Sequence, residues 1–311
     1  MVEFQELTFP SSDGQHQCWA GLWLPEGAPR AVVQIVHGVA EYVGRYKAFA
    51  RYLAEHGFAV CGEDHLGHGN TAKQDSKFGY FGAHDGWTLV TADVRQLRTL
   101  MGERFPGIPY FLLGHSMGSF LTRTYLCRYP GTVSGAILSG TGQEAPALVA
   151  GGKALASLIC RFRGADAVSQ LVNNLSLGAY NKQFAPNRTS ADWISRDQAV
   201  VDAYVCDPLC SFTPTVGMYR DMLGGLQYIA SPRALSQMDP DTPIYLFSGA
   251  CDPVGGNTKG VNKVYGYFKD RGTRDLTLKF YPGGRHEMLQ ELNKEQVYAD
   301  VLAWLEQHLP A

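Results

Sequence analysis

Short runs of apolar residues alternate along the chain with longer segments in which apolar residues recur at helical spacing. Such short runs indicate strands buried on both faces, and the longer segments supply the crossover helices that a parallel sheet requires. We therefore predict an α/β fold with a mostly parallel sheet and helices on both faces. The predicted strands are Ala31–Val36, Phe58–Gly62, Tyr110–Gly114, Gly135–Ser139, Pro243–Phe247 and Leu276–Tyr281. The predicted helices are Arg45–His56, Trp87–Arg104, Ser119–Arg128 and Lys294–His308.

The N-terminal segment has a different pattern. Polar and apolar residues alternate over Glu3–Phe9 and again over Gln17–Leu24, on either side of a turn-forming Ser-Ser-Asp-Gly sequence. Strict alternation is typical of strands with one exposed face, and the turn residues favour a tight reversal. An antiparallel hairpin at one edge of the sheet is predicted.

The alternation of strands and helices stops after Gly140 and resumes near Thr242. The interval of about 100 residues is too long for a bare loop in a compact domain, so an inserted helical subdomain is expected. We divide the chain into a first part of the core at 1–142, an insertion at 143–238 and a second part of the core at 239–311. The helices predicted in the insertion are Pro146–Arg161, Asp192–Val205 and Thr215–Ile229.

Composition excludes several classes of function. The chain has 27 Lys and Arg against 29 Asp and Glu, a balance that argues against a nucleic-acid partner. Its seven cysteines lack the spacing of a disulfide framework or a zinc site, so reduced thiols, no metal and no cofactor are expected. The N-terminus is acidic and is followed by no apolar signal segment, which favours a cytoplasmic location.

A Gly-x-Ser-x-Gly motif carries the chemistry. Gly114-His-Ser116-Met-Gly118 lies between a predicted strand and a predicted helix, the context of a nucleophilic serine on a tight turn. Because about 0.2 chance matches are expected in a chain of this composition, the context matters more than the motif. A second strand ends at His37-Gly-Val39, and backbone N–H groups of Val39 and Met117 are predicted to form the oxyanion hole. His37 is interpreted as a structural residue of this loop.

A nucleophilic serine requires a base and an acid, and in this fold they follow in the order Ser, acid, His. Only His286 and His308 follow Ser116, and His286 lies in a glycine-rich loop after a predicted strand. Asp252 lies just after another strand and is the predicted acid. Three other carboxylates, Asp239, Asp241 and Asp270, precede a strand or lie in a helical segment, where solvent exposure explains them.

Several blocks of sequence together resemble the monoacylglycerol lipase and lysophospholipase-like serine hydrolases of the α/β-hydrolase fold. These blocks are His37–Tyr46, Asp64–Gly69, the motif at Ser116, Gly249–Val254 and the His286 loop. The resemblance implies that the insertion is a lid that covers an acyl tunnel, and a transient membrane contact through this lid is a separate hypothesis. The resemblance also implies that Glu41 and Arg45 lie near the alcohol side of the site, although their spacing equally fits a helix-entry ion pair. Ser119 stands where many relatives have glycine.

These observations predict a serine hydrolase that cleaves a single-chain, monoacylglycerol-like acyl ester through an acyl-serine intermediate. The expected partner is a small acyl ester or lipid. A lysophospholipase, a general carboxylesterase or a thioesterase would use the same three residues. A non-catalytic ligand receptor on the same fold is the alternative from another class.

Overall fold

In the computed structural model, which describes residues 1–310, eight strands form one sheet in the order β1-β2-β4-β3-β5-β6-β7-β8. All strands from β4 to β8 in this order run parallel, and β1 and β2 form an antiparallel hairpin at one edge. The predicted fold class and edge hairpin are confirmed. The strands are β1 Glu3–Pro10, β2 Gln17–Leu24, β3 Ala31–Val36, β4 Phe58–Glu63, β5 Tyr110–His115, β6 Gly135–Ser139, β7 Ile244–Gly249 and β8 Leu276–Tyr281.

Helices cover both faces of this sheet. Outside the connection from β6 to β7 they are α1 Lys47–Glu55, α2 Gly69–Ala72, α3 Gly86–Arg104, α4 Met117–Arg128, α11 Lys259–Arg271 and α12 Lys294–Gln307. Successive side chains of a strand point to opposite faces, and β5 shows the consequence. Leu112 belongs to the core beneath α3, α4 and α11, whereas Phe111 and Leu113 belong to the core beneath α1 and α12. The near-continuous apolar strands in the sequence follow from this two-sided burial.

The connection from β6 to β7 is helical. Its elements are α5 Pro146–Arg163, α6 Gln170–Leu175, α7 Leu177–Tyr180, the 3₁₀ helix Asn181–Phe184, α8 Gln198–Cys206, α9 Val216–Ile229 and α10 Pro232–Leu235. Helices α5 and α9 pack against each other around Ala156 and Tyr219, and α9 also contacts the core through Leu226 and Ile229. The domain boundaries at 142/143 and 238/239 stay a prediction.

The helix predicted over Asp192–Val205 was wrong in its first six residues. Helix α8 begins only at Gln198, because the Asp197 side chain accepts the Ala199 N–H at 3.0 Å and caps the helix. The Asp192 carboxylate accepts the N–H groups of Arg188 and Thr189, which closes a turn in the preceding chain. Asp192–Arg196 is therefore a non-helical segment, which we call the strap.

Within residues 1–310, no helix combines the length and the apolar character needed to cross a bilayer.

Candidate active site

Ser116 lies at a sharp turn between β5 and α4. Its φ of 54° and ψ of −122° fall in a region that is strained for a residue with a side chain. The two motif glycines make this turn possible: a Cβ at Gly118 would overlap the Val36 carbonyl, and one at Gly114 would overlap the Gly118 carbonyl. The turn lifts Ser116 to the carboxyl end of the parallel strands, the edge where α/β enzymes hold their sites.

His286 and Asp252 meet at the same edge, in the loops after β8 and β7. The His286 Nδ1 atom lies 3.0 Å from both carboxylate oxygens of Asp252. Asp252 also accepts the Val254 N–H at 2.9 Å and the Ser248 hydroxyl at 3.2 Å. Four contacts thus fix a fully buried carboxylate so that it orients the imidazole.

Ser116 is close to this pair without a hydrogen bond to it. The imidazoles of His115 and His286 are 4.6 Å apart, and the Ser116 N–H donates to the Ser139 carbonyl at 2.9 Å. A Cβ placed on the next residue, Gly140, would lie 2.9 Å from His286 Cε1. Within residues 1–310, no hydrogen bond joins the Ser116 hydroxyl to His286; in hydrolases such bonds often tighten only around substrate.

Of the two amides predicted for the oxyanion hole, that of Met117 directly follows Ser116, and that of Val39 follows Gly38, where an added Cβ would lie 3.0 Å from Ser116 Cβ. Among the residues that the structure describes, neither the Val39 N–H nor the Met117 N–H donates to a backbone carbonyl. The intervening Gly38 N–H is already used, because it donates to Glu41 Oε1 at 2.6 Å. Two unused backbone donors of this kind fit the prediction of an oxyanion hole, in which one donor contributes about 3 kcal/mol to transition-state stabilisation.

Glu41 and Arg45 form the ion pair that their spacing allowed, with a nitrogen–oxygen distance of 3.0 Å. Arg45 also binds Glu287 through two hydrogen bonds of 2.6 and 2.7 Å. Burial raises the pKa of Glu41, and Arg45 opposes this shift. The Tyr46 hydroxyl donates to Glu41 Oε1 at 2.7 Å, and this oxygen also accepts the Gly38 N–H. One buried guanidinium therefore holds two carboxylates. Through its bond to the Gly38 N–H, Glu41 also fixes the loop His37–Ala40 after β3, which we call the oxyanion loop.

Three residues near the site had no predicted role. Glu287 follows His286 directly, and the Trp193 ring of the strap packs 4.9 Å from the His286 ring. The Ser119 hydroxyl donates to the Ser116 carbonyl at 2.6 Å, which gives the residue at the usual glycine position a local function. The position of Glu287 next to the predicted base was the one available sequence signal. No sequence signal indicated a role for Trp193, because the residue lies in a segment that was wrongly predicted to be helical.

His37 has the structural position that the sequence suggested. Its Nε2 accepts the His65 N–H at 3.0 Å, so its Nδ1–H faces the Gly38 carbonyl at 2.7 Å. Burial lowers the pKa of His37 well below its usual value. The neutral ring therefore links the oxyanion loop to the loop after β4 through these two hydrogen bonds.

Opposing influences set the protonation of His286. Burial, the largest of them, lowers its pKa, but the Asp252 carboxylate and then Glu287 and Glu41 raise it, and the net direction is upward from 6.5. A raised folded-state pKa adds stability below the unfolded value, and this stability is lost as pH rises through the folded value. Protonated His286 paired with Asp252 therefore stabilises the folded state more than neutral His286 does, whereas His286 can act as a base only when it is neutral.

We expect kcat/KM for a neutral ester to rise with pH through one ionisation with its midpoint above about 6.5. The reason is that His286 accepts a proton only when neutral and that its pKa is raised. Initial rates between about pH 5 and 9, with circular dichroism at each pH as the control for folding, provide the measurement. A flat profile over this range would contradict a histidine base.

Residues 27–293 match the Hydrolase_4 family, described as "Serine aminopeptidase, S33". Monoacylglycerol lipase of Mycolicibacterium smegmatis is 31% identical over 93% of this chain and 92% of its own length. Monoglyceride lipase of Homo sapiens is 28% identical over 98% and 92%.

Comparison with a solved structure shows that the fold is shared as well. The thermostable carboxyl esterase from Bacillus coagulans, determined in complex with glycerol, is 29% identical and superposes with a TM-score of 0.92 over 99% of each chain. The match to the family model extends across both parts of the core and the helical connection between them. The chain therefore belongs to the Hydrolase_4 family and is a serine hydrolase of the monoglyceride lipase type.

Proposed function

We propose that this chain hydrolyses glycerol monoesters of single acyl chains, with Ser116 as nucleophile, His286 as general base and Asp252 as the residue that orients it. The observation that carries the proposal is the His286–Asp252 contact of 3.0 Å beside a strained Ser116. Strain at a serine that follows a buried strand is expected where the side chain must be presented to a substrate.

In the proposed reaction, cleavage of the ester is followed by hydrolysis of an acyl-enzyme. His286 Nε2 takes the proton of the Ser116 hydroxyl as Oγ attacks the ester carbonyl, and the N–H groups of Val39 and Met117 stabilise the oxyanion. Collapse of the tetrahedral intermediate breaks the bond to the alcohol, which leaves with the proton from His286. Water, deprotonated by His286, then attacks the acyl-serine ester and forms a second tetrahedral intermediate. Its collapse breaks the bond to Oγ and releases the fatty acid, and His286 returns the proton to Oγ.

A cavity of about 450 Å³ is bordered by Ala40, by Tyr204 and by Trp193, whose ring packs on His286, although Ser116, Asp252 and His286 do not line it. We propose that it receives the alcohol part of the substrate. Side-chain amides and hydroxyls make up much of the remaining wall, for example those of Gln170, Asn173, Asn187 and Ser190. Such a wall suits a hydroxylated group better than an alkyl chain. The lipases among the relatives are named for monoacylglycerol and monoglyceride, and the Bacillus coagulans esterase was solved with glycerol.

Within this proposal, residues 143–238 act as a lid over the site. The strap places Trp193 against His286, and Tyr204 of α8 lies 4.8 Å beneath the Arg45 guanidinium. Both contacts join the insertion to the catalytic edge of the sheet. A cytoplasmic location stays a prediction.

Kinetics on glycerol monoesters from acetyl to palmitoyl test the substrate class. If the lid encloses an acyl tunnel, each added methylene gains up to about 0.8 kcal/mol, or about fourfold in kcat/KM, until the tunnel is full. We expect kcat/KM to climb with chain length and then reach a plateau. Matched ethyl esters serve as the control for the alcohol.

Three outcomes would each remove part of the proposal. Equal kcat/KM for acetyl and decanoyl monoesters would favour a short-chain carboxylesterase. Equal rates for ethyl and glyceryl esters would remove the role of the polar cavity. Faster hydrolysis of aminoacyl anilides than of any ester would favour the peptidase chemistry for which the family is named.

We also propose that the lid touches lipid surfaces. Large apolar side chains that are more than half exposed cluster in sequence on α5 and α6, namely Leu148, Leu158, Phe162, Leu171 and Leu175. Arg161 and Arg163 in the last turn of α5 supply positive charge beside Phe162, which is 77% exposed. Exposed apolar groups next to basic ones are typical of segments that lie in a membrane interface.

Sedimentation with phosphatidylglycerol vesicles tests this contact. We expect Phe162→Ser and Leu175→Ser together to lower the vesicle partition coefficient by at least about 10²-fold, because burial of each large side chain contributes about 1.5 to 3 kcal/mol. Activity on a water-soluble ester should persist. Phe4→Ser, at an exposed apolar residue of the distant hairpin, is the matched control. Equal binding by all variants would show that α5 and α6 do not contact lipid.

A further inference from the structure

The strap is bonded directly to the loop that carries His286. The Glu287 N–H donates to the Ile194 carbonyl at 2.7 Å, and the Ser195 hydroxyl donates to the Gln290 carbonyl at 3.1 Å. The Arg285 guanidinium donates to the carbonyls of Asp192 and Ser195. This part of the insertion is thus built as an extension of the catalytic loop.

Glu291 connects the two segments. Its side chain is fully buried, and Oε1 accepts the Arg196 N–H at 3.1 Å and the Arg285 N–H at 2.9 Å. Oε2 accepts Arg196 Nε at 3.0 Å and the Leu292 N–H at 2.9 Å. One carboxylate therefore holds both the last residue of the strap and the residue immediately before His286. A buried carboxylate with four donors is costly to disturb, because each donor would be left without a partner.

The strap in turn covers the imidazole. Trp193, the second residue of the strap, has its ring tilted by 34° against that of His286, and Tyr180 packs on Trp193 at 5.2 Å. The imidazole is therefore held by Asp252 at Nδ1 and by an indole against its ring. A loose strap would free the ring to turn away from Asp252.

We propose that Glu291 is a positioning residue for catalysis: through Arg196 and the Arg285 N–H it clamps the strap and the His286 loop together and so fixes His286 between Asp252 and Trp193. This inference rests on His286 being the base of the proposed mechanism. It does not depend on which ester is the substrate. An error of about 1 Å in the placement of a catalytic group can lower a rate about 10²-fold.

Kinetics of Glu291→Gln test the clamp, because glutamine keeps the shape of the side chain but places an amide group among N–H donors. We expect kcat and the second-order rate of fluorophosphonate labelling to fall by about 10- to 100-fold, with KM changed less than about threefold. The pH midpoint of labelling should also move down, since His286 would lose contact with Asp252, which raises its pKa. The His115 ring, 4.6 Å from that of His286, and the Glu287 and Glu41 carboxylates, which also raise the pKa of His286, are unchanged in this variant.

Tryptophan fluorescence supplies a readout without catalysis. A protonated imidazole against an indole face interacts with it directly, so the emission of Trp193 should titrate with His286. The difference between wild type and Trp193→Phe isolates this signal from that of Trp304, which lies 4.2 Å from His308. In Glu291→Gln the titrating component should shrink or vanish.

Three further variants separate positioning from general stability. Arg196→Ala, at a side chain that is 32% exposed, should reproduce the losses if Glu291→Gln fails to fold, and Arg196→Lys should recover part of them. Asp202→Asn breaks an exposed ion pair with Arg188 in the same insertion and should leave the labelling rate unchanged. Folded Glu291→Gln or Arg196→Ala protein with a wild-type labelling rate, pH midpoint and Trp193 titration would overturn the inference. Failure of wild type to label would instead refute the proposed mechanism, while the Trp193 titration would still test the clamp.

Discussion

Ser116→Ala is expected to lower kcat for ester hydrolysis by roughly 10⁴ to 10⁶ and to abolish fluorophosphonate labelling. The acyl group would have no acceptor oxygen at the strained turn between β5 and α4. Folding should survive, because the substitution removes a single hydroxyl that makes no hydrogen bond to His286 within residues 1–310. Thermal unfolding of the variant next to wild type provides this check.

A matched control is Ser236→Ala, at an exposed serine after α10. It should label and turn over like wild type. Persistent turnover by Ser116→Ala at more than about a hundredth of the wild-type rate would mean that another residue is the nucleophile.

Asp252→Asn is expected to lower kcat by roughly 10⁴ while leaving KM within severalfold of wild type. The amide nitrogen would face His286 Nδ1, now 3.0 Å from the carboxylate, and would stabilise the tautomer that carries its proton on the wrong nitrogen. Steady-state kinetics at a pH above the His286 midpoint isolates this effect from titration of the base.

Asp239→Asn and Asp241→Asn are the controls, because the sequence left these carboxylates as the less favoured candidates. The structure pairs Asp241 with exposed Arg274 rather than with a histidine. Both variants should retain near-normal kcat. Normal activity in Asp252→Asn, with a large loss in either control, would show that the acid was assigned to the wrong strand end.

The sheet could be predicted because burial on both faces forces nearly every strand residue to be apolar. Leu112 and its neighbours Phe111 and Leu113 lie in different cores, yet all three had to be hydrophobic. The candidate triad followed from chain order and from loops that come directly after strands. These features are local in sequence, so a single chain reveals them.

Features that depend on distant contacts could not be predicted. The sequence of the strap predicts a helix. Two contacts explain why it is not helical: the Asp197 side chain caps α8 directly after the strap, and Glu291 accepts the Arg196 N–H. Glu291 itself resembles an ordinary solvated glutamate near a helix start. Its burial follows from Arg196, which is 95 residues away in sequence. No periodicity records a contact of that kind.

The most direct test of the account is the site at which a fluorophosphonate probe reacts. Labelled protein would be digested with trypsin, and the peptide spanning 105–123 would be sequenced by mass spectrometry. We predict one adduct per chain, located on Ser116 and not on Ser119. When labelling is brief, Asp252→Asn should carry no adduct. An unlabelled folded protein, or an adduct at any serine other than Ser116, would contradict the account.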